Sequence, residues 1–290
     1  MSSAAQQPGG TALVLGGGGV TGIAWEIGVL AGLRAARGPL AAGLDAPALV
    51  VGTSAGSVVG TLVAAAADTG PGWDLADALA AQHAPSASEI PRDVDLEALM
   101  EAMQTDSADP LEARRHVGEF ALGVDRSVAD RRRVSVAARL PVHDWPTTPL
   151  RITAVDARTG ELVVFDGTAG APLDDAVAAS CAVPGVWPTV PVAGRDLMDG
   201  GMASLCHATL ATGHDRVVVL VPFPAPGGGP VRGLDDELDE LRAAGTEVTV
   251  IGPDPEYLAG PGSAALDPAG RPAAADLGYR LGRSFGQDPG

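Results

Sequence analysis

Leu49-Val50-Val51-Gly52-Thr53-Ser54-Ala55-Gly56-Ser57 reads as a buried strand, a sharp turn and the start of a helix. The strand begins one residue earlier, at Ala48, and its apolar run ends at Val51. The helix, Gly56 to Ala67, is rich in Ala and Val with almost no polar face, so it belongs deep in a core. A serine at the tip of such a turn is forced into strained backbone geometry, and the residues two places away must be small. Gly52 and Gly56 meet that need. Ser54 then stands at a helix N-terminus, where the dipole favours developing negative charge and the Ala55 N–H can donate to an oxyanion.

Working outward, Thr11 to Leu15 is a second apolar run ending at glycines, and Gly22 to Ala36 has helical spacing in Trp25, Val29, Leu30 and Leu33. Gly38-Pro39 ends that helix. Gly17, Gly19 and Gly22 fit the G-x-G-x-x-G pattern of a dinucleotide site. Such a site needs an acid at the end of the following strand, and that position holds Gly52-Thr53-Ser54, while Asp45 precedes the strand. No Gly-Lys-Ser/Thr ending makes it a P-loop. The glycines read better as a loop of bare N–H groups for an oxyanion, with Gly18 and Gly19 as donors. A tight turn needing positive φ is the plainer reading of the same run.

Residues 73 to 140 change character. Amphipathic helices are expected near Trp73–Ala81, Asp95–Met103, Pro110–Leu122 and Arg126–Leu140, as an insertion or cap. Arg151–Asp156 and Glu161–Asp166 form a strand pair turning at Thr159-Gly160. Leu173–Ser180 is a helix, Asp196–Met198 a short strand, Arg216–Val221 an apolar strand and Glu247–Ile251 the final strand. Leu234–Ala244 reads as a charged, exposed helix and Arg271–Arg283 as a terminal one, with a Pro/Gly loop at Pro224–Pro230. Strands alternating with helices predict a central, mainly parallel sheet covered on both faces. The expected organisation is one domain over residues 1–290. Its core spans about 11–221, its helical insertion about 73–140, and a strand and helices follow over 222–290.

Ligand chemistry in such sheets gathers where strands end, and the glycine run, Ser54 and Asp199 each follow an expected strand. A serine hydroxyl needs a base. Five histidines are available, and none has an orienting motif. His83 and His116 fall in the insertion, His143 in a loop, His214 at the amino end of a strand, and His207 just beyond Leu205-Cys206. Asp199, at a strand end and followed by Gly200-Gly201, is better placed. It is a weak base unless burial raises its pKa.

Composition narrows the field. The net charge of −17 disfavours nucleic acid as a partner and general attraction to anionic membranes. All 19 basic residues are arginine, and Arg131-Arg132-Arg133 reads either as a head-group contact or, more plainly, as a solvated helix face. Two cysteines, Cys181 and Cys206, lack the clustering a metal site needs and read as buried free thiols, which suits a reducing compartment. The polar N-terminus lacks the features of a signal peptide, and the apolar stretch Thr11–Leu33 is broken by four glycines, so a cytoplasmic protein is expected. Transient membrane or micelle contact and the oligomeric state stay open.

The chain resembles the patatin-like phospholipase family. The resemblance rests on Gly17-Gly18-Gly19-Val20-Thr21-Gly22, on Gly52 to Gly56, on Asp199-Gly200-Gly201 and on Ala179-Ser180-Cys181-Ala182-Val183-Pro184-Gly185. It implies a three-layer α/β/α fold around the central sheet, with a helical insertion or cap, a Ser54–Asp199 dyad without histidine, a glycine-loop oxyanion hole, no metal or other cofactor, and a lipid or acyl-ester substrate. It also implies Lys or Arg where this chain has Thr21, a departure that bears on rate and substrate more than on fold. A lipid- or acyl-binding protein without turnover is the alternative on this scaffold.

Overall fold

The computed structural model describes residues 9–69, 75–85, 96–104, 107–168 and 170–285. The expected helix starts at Trp73 and Asp95 lie outside them. Eight strands form one sheet: β1 Thr11–Leu15, β2 Leu49–Thr53, β3 Leu150–Asp156, β4 Leu162–Phe165, β5 Val190–Val192, β6 Arg195–Asp199, β7 Arg216–Leu220 and β8 Glu247–Ile251. The helices are α1 Gly19–Ala36, α2 Pro39–Gly43, α3 Ala55–Asp68, α4 Ala76–Gln82, α5 Leu96–Met103, α6 Pro110–Leu122, α7 Ala129–Ala137, α8 Leu173–Ser180, α9 Leu234–Ala243, α10 Pro255–Ala259 and α11 Arg271–Phe285. The sheet order is β5-β6-β3-β2-β1-β7-β8, with β4 also paired to β3. The five strands from β3 to β8 along that order are parallel, while β4, β5 and β6 run antiparallel to their partners.

Alternation along the strands separates two apolar layers even though both faces are buried. Leu13, Leu15, Val50, Ile152 and Leu220 pack with α1, α3, α8 and α11. Ala12, Val14, Val51, Val217 and Val219 pack against α9. Further along that second face, Val155 and Met198 meet Val117 and Ala121 of α6 and Leu99 of α5. The result is the three-layer α/β/α arrangement. The segment expected as a cap divides between the layers: α5 and α6 cover one face, while α7 contributes Val136 to the core on the other.

Some expectations shift. α1 starts at Gly19, earlier than Gly22, because the Gly22 N–H donates to the Gly18 carbonyl at 2.9 Å and so winds the glycine loop into the first turn, with Gly19 at φ +63° at its entry. The expected Arg126–Leu140 helix is a 3₁₀ turn at Arg126–Val128, where Asp125 accepts from the Ser127 N–H, followed by α7. α9 is charged but not simply exposed: Leu234, Leu238 and Leu241 recur at helical spacing and bury one face. The three-residue β5, containing Pro191, gave no alternation signal.

The decisive topology concerns β3. Ala154 pairs with Val163 of β4 and also with Asp199 of β6, so these two strands flank opposite sides of β3. Thr153 pairs with Val164 of β4 and also with Thr53 of β2, so β2 lies opposite β4 as well. β2 and β6 therefore share one side of β3. They run toward each other and stop at adjacent registers, Thr53 against Thr153 and Asp199 against Ala154.

α11 runs parallel to α1 at backbone distance. A Cβ at Gly28 would collide with the Ala275 carbonyl, and one at Gly32 with that of Tyr279. On α11, Gly278 and Gly282 are closed in by the Trp25 and Val29 carbonyls. Ala in place of Gly in an ordinary helix interior is worth roughly 1 kcal/mol of added stability. Here the sign should reverse. Gly28→Ala and Gly282→Ala should each lower the unfolding free energy, by about 1–3 kcal/mol, through forced separation of the helices. Urea melts monitored by circular dichroism check this.

Candidate active site

The turn after β2 puts Ser54 at φ 52°, ψ −114°, a conformation costly for a residue with a Cβ. Surroundings hold it there. The Ser54 N–H donates to Ser180 Oγ at 2.8 Å, and its carbonyl accepts from Ser57 Oγ at 2.6 Å and from Cys181 Sγ at 3.3 Å. A Cβ at Gly52 would collide with the Gly56 carbonyl, and one at Gly56 with the Leu15 carbonyl, so the elbow closes only over bare backbone. Ser54 retains 8% exposure at the wall of a cavity of about 510 Å³.

Asp199 ends β6 and opens a 3₁₀ turn, Gly200–Met202. Its Oδ1 accepts from the Gly201 N–H at 2.8 Å, and its own N–H donates to the Ala182 carbonyl at 2.9 Å. Gly200 leaves no room for a side chain beside Thr153. The carboxyl is 2% exposed. Burial pushes its pKa up to about 7; the Gly201 N–H, the Ser54 hydroxyl and the Arg132 charge pull the other way. Oδ2 makes no hydrogen bond of regular geometry. The Ser54 side chain is thus close enough to favour the carboxylate, while Oδ2, itself buried, keeps capacity to accept a proton.

The glycine loop divides its N–H groups. Gly16 donates to the Leu220 carbonyl, Gly17 to Leu205 and Gly22 to Gly18, all structural bonds. Among the described residues no hydrogen bond is recorded from the N–H of Gly18, Gly19 or Ala55, three groups at the helix N-termini around Ser54. Such groups can stabilise an oxyanion.

Thr21 is fully buried. Its N–H donates to the Ala265 carbonyl at 3.0 Å, and its hydroxyl lies 3.3 Å from that of Tyr257. A Cβ at Gly270 would stand 3.0 Å from its Cγ2. A long basic side chain has no space here, and the C-terminal segment braces the loop from this side. Glu26, behind the loop, is wholly buried, and burial pushes its carboxyl well above the usual range against the pull of the Gly16 N–H.

His116 is exposed on α6, and the other four histidines are engaged elsewhere. His207 Nε2 donates to the Gly200 carbonyl at 3.0 Å, and burial lowers its pKa to about 4, so it is neutral and props the aspartate turn. His83 faces Asp276, His143 faces Asp174, and His214 bonds the Ala211 carbonyl. Cys181 and Cys206 are free and buried. Among the described residues no group of three or more His, Cys, Asp or Glu is placed to hold a metal ion. None of the described helices is long and apolar enough to cross a membrane.

Sequence reasoning missed the Ser180 hydroxyl as the brace of the elbow, although its motif was visible. For Arg131-Arg132-Arg133 it left a head-group contact and a solvated helix face as alternatives, without separating the three. Arg131 and Arg133 are exposed, Arg133 pairing with Asp175, but Arg132 turns inward and stacks 4.2 Å over the Trp187 ring at the cavity.

Comparison with curated protein sequences gives no match. Two similar solved structures are VipD from Legionella pneumophila, with 13% identity and a TM-score of 0.40, and the type III effector protein ExoU, with 16% identity and a TM-score of 0.43. The alignments cover 98% and 97% of this chain, and 69% and 53% of those chains. A family profile described as patatin-like phospholipase matches residues 13–211. The chain belongs to the patatin-like phospholipase family, whose members generally act as lipid acyl hydrolases.

Proposed function

We propose that this protein hydrolyses acyl esters of lipids, with Ser54 as nucleophile and Asp199 as its base. One observation carries the reading: a strained serine at a helix N-terminus lies beside a buried carboxyl whose Oδ2 makes no hydrogen bond of regular geometry. Ser54 Oγ attacks the ester carbonyl and passes its proton to Asp199. Negative charge on the carbonyl oxygen falls to the N–H groups of Gly18, Gly19 and Ala55. Collapse expels the alcohol, which takes the proton from Asp199 and leaves an acyl-Ser54. Water then attacks, its proton passing through Asp199 back to Ser54 Oγ, and the fatty acid departs. A pKa near 7 suits a group that must take and return a proton near neutrality.

Ser54→Ala should reduce turnover of a short acyl nitrophenyl ester to background while the circular dichroism spectrum persists. A fluorophosphonate probe should label the wild type at Ser54 alone, and mass spectrometry of the labelled peptide checks it. Unchanged turnover in the variant would sink the assignment.

The base must be ionised to act. kcat/KM should therefore rise with pH through a midpoint near 7 and level off above it. A flat profile between pH 5 and 8 contradicts Asp199 in that role.

The same group sets a stability cost. Its folded pKa lies above the unfolded value, so the native state favours the protonated form. Stability falls as pH rises above the ordinary carboxylate range, and the loss is complete above about 7. At roughly 1.4 kcal/mol per unit, ionisation costs the fold on the order of 4 kcal/mol at pH 8. Asp199→Asn, which keeps an acceptor for the Gly201 N–H, should be inactive yet melt higher than wild type at pH 8. The gap should close toward pH 4, as calorimetry at the two pH values can show.

A further inference from the structure

Gly18 and Gly19, whose N–H groups the proposed mechanism uses, sit in a clamp made by the chain beyond residue 220. A Cβ at Gly18 would stand 2.7 Å from Pro222, and one at Gly19 would stand 2.7 Å from the Ala265 carbonyl. Contact of this kind confines the loop but does not fix its place along the clamp; hydrogen bonds, which are directional, do. At the near end, the Gly16 and Gly17 N–H groups donate to the Leu220 and Leu205 carbonyls. At the far end the bonds converge on Thr21. Its N–H donates to the Ala265 carbonyl at 3.0 Å, and its hydroxyl meets that of Tyr257 at 3.3 Å. The two oxyanion donors lie between these ties.

Tyr257 is a firm anchor. It is fully buried, and its ring lies 5.7 Å from that of Trp25 on α1 and 6.1 Å from that of Phe223. A Cβ at Gly262 would collide with the Tyr257 carbonyl and ring. One side chain therefore packs on the helix that the loop opens and reaches the loop with its hydroxyl. Burial pushes its pKa up to about 12; the Thr21 hydroxyl pulls the other way and Glu26 adds to the rise. The phenol stays protonated near neutrality. Thr21 is also fully buried, so loss of one hydroxyl leaves the other without this partner and away from water. Tyr257 is not among the residues that line the cavity, so it has no contact of its own to offer a substrate.

We propose that Tyr257 is a positioning residue for acyl transfer: its hydroxyl fixes Thr21, and through Thr21 it holds the Gly18 and Gly19 N–H groups where the ester oxygen becomes an oxyanion. This rests on the acyl-hydrolase reading and adds what sets its oxyanion hole. Such donors contribute most in the transition state, when the charge has formed. A small displacement of the loop therefore lowers kcat, while binding along Ile23, Val58 and Leu62 in the cavity stays close to what it was.

Tyr257→Phe keeps the ring and removes the hydroxyl. With a nitrophenyl butanoate, kcat should fall about tenfold or more while KM changes less than about threefold. A trifluoromethyl ketone, which adds to a serine and places an oxyanion in the hole, should lose affinity by the same factor as kcat/KM. Thr21→Val should behave alike, and the double variant should be no slower than either, because the two groups act as one. Thr21→Ser, which keeps a hydroxyl, should retain most of the rate. An unchanged kcat, a loss that appears in KM alone, or Thr21→Ser as slow as Thr21→Val overturns the proposal while the hydrolase reading stands. A second readout needs no turnover. Hydrogen exchange at the Thr21 amide, followed by NMR, should quicken about tenfold or more in Tyr257→Phe. If the wild type turns over no ester yet this exchange quickens, the hydrolase reading fails and the hold on the loop stands. Unchanged exchange overturns that hold.

Discussion

Two strand ends meeting along one side of β3 are the constraint on which the site depends. β2 rises to Thr53 and β6 descends to Asp199, and the next residue of each chain must turn out of the sheet. A side of a strand can hold one partner per register, so neither strand can lengthen without displacing the other. Ser54 and Asp199 are neighbours because that shared side is full. The Thr53 and Thr153 hydroxyls, 2.8 Å apart, tie β2 to β3 at the junction, and the lack of a side chain on Gly200 lets the aspartate turn pass close over Thr153.

Packing at this junction decides the electrostatics. Ser180, Cys181 and Ser57 occupy the elbow's backbone groups, so water has little part in holding it. The same dense environment strips solvent from Asp199. Desolvation outweighs the three favourable influences on its charge, and the carboxyl ends near neutrality in pKa. His207, kept uncharged by its own burial, supports the turn without competing for the proton. Stability is given up locally to hold a carboxyl with a pKa of about 7, a trade the sheet can bear because both of its faces are covered.

Much of this was legible in the residues. α6 and α8 match their expected bounds because Asp109-Pro110 and Pro172-Leu173 are strong start signals. Ser54, the glycine run and Asp199 stood out because glycine at those places is a geometric requirement that composition does not disguise. The direction of β6 was not legible. Strand periodicity carries no sign, and only pairing to β3 reveals that Asp199 comes down toward Ser54 and does not rise beside it. Arg132 was hidden for a related reason: in Arg131-Arg132-Arg133 the composition is uniform, and helical phase relative to a cavity picks the inward member. The glycines inside α1 and α11 drew no reading from the sequence; each stands against the other helix's backbone.

The brace behind Thr21 also has a consequence in time. Ser54, Asp199 and the whole sheet lie before residue 252. Ala265, Tyr257 and Gly270, which seat the glycine loop, and α11, which clamps the helix leading from it, come later. A chain emerging from the ribosome therefore carries its serine and aspartate well before it can seat the glycine loop beside them. Synthesis itself acts as the timer: the glycine loop stays without its brace until α11 has been made and has docked.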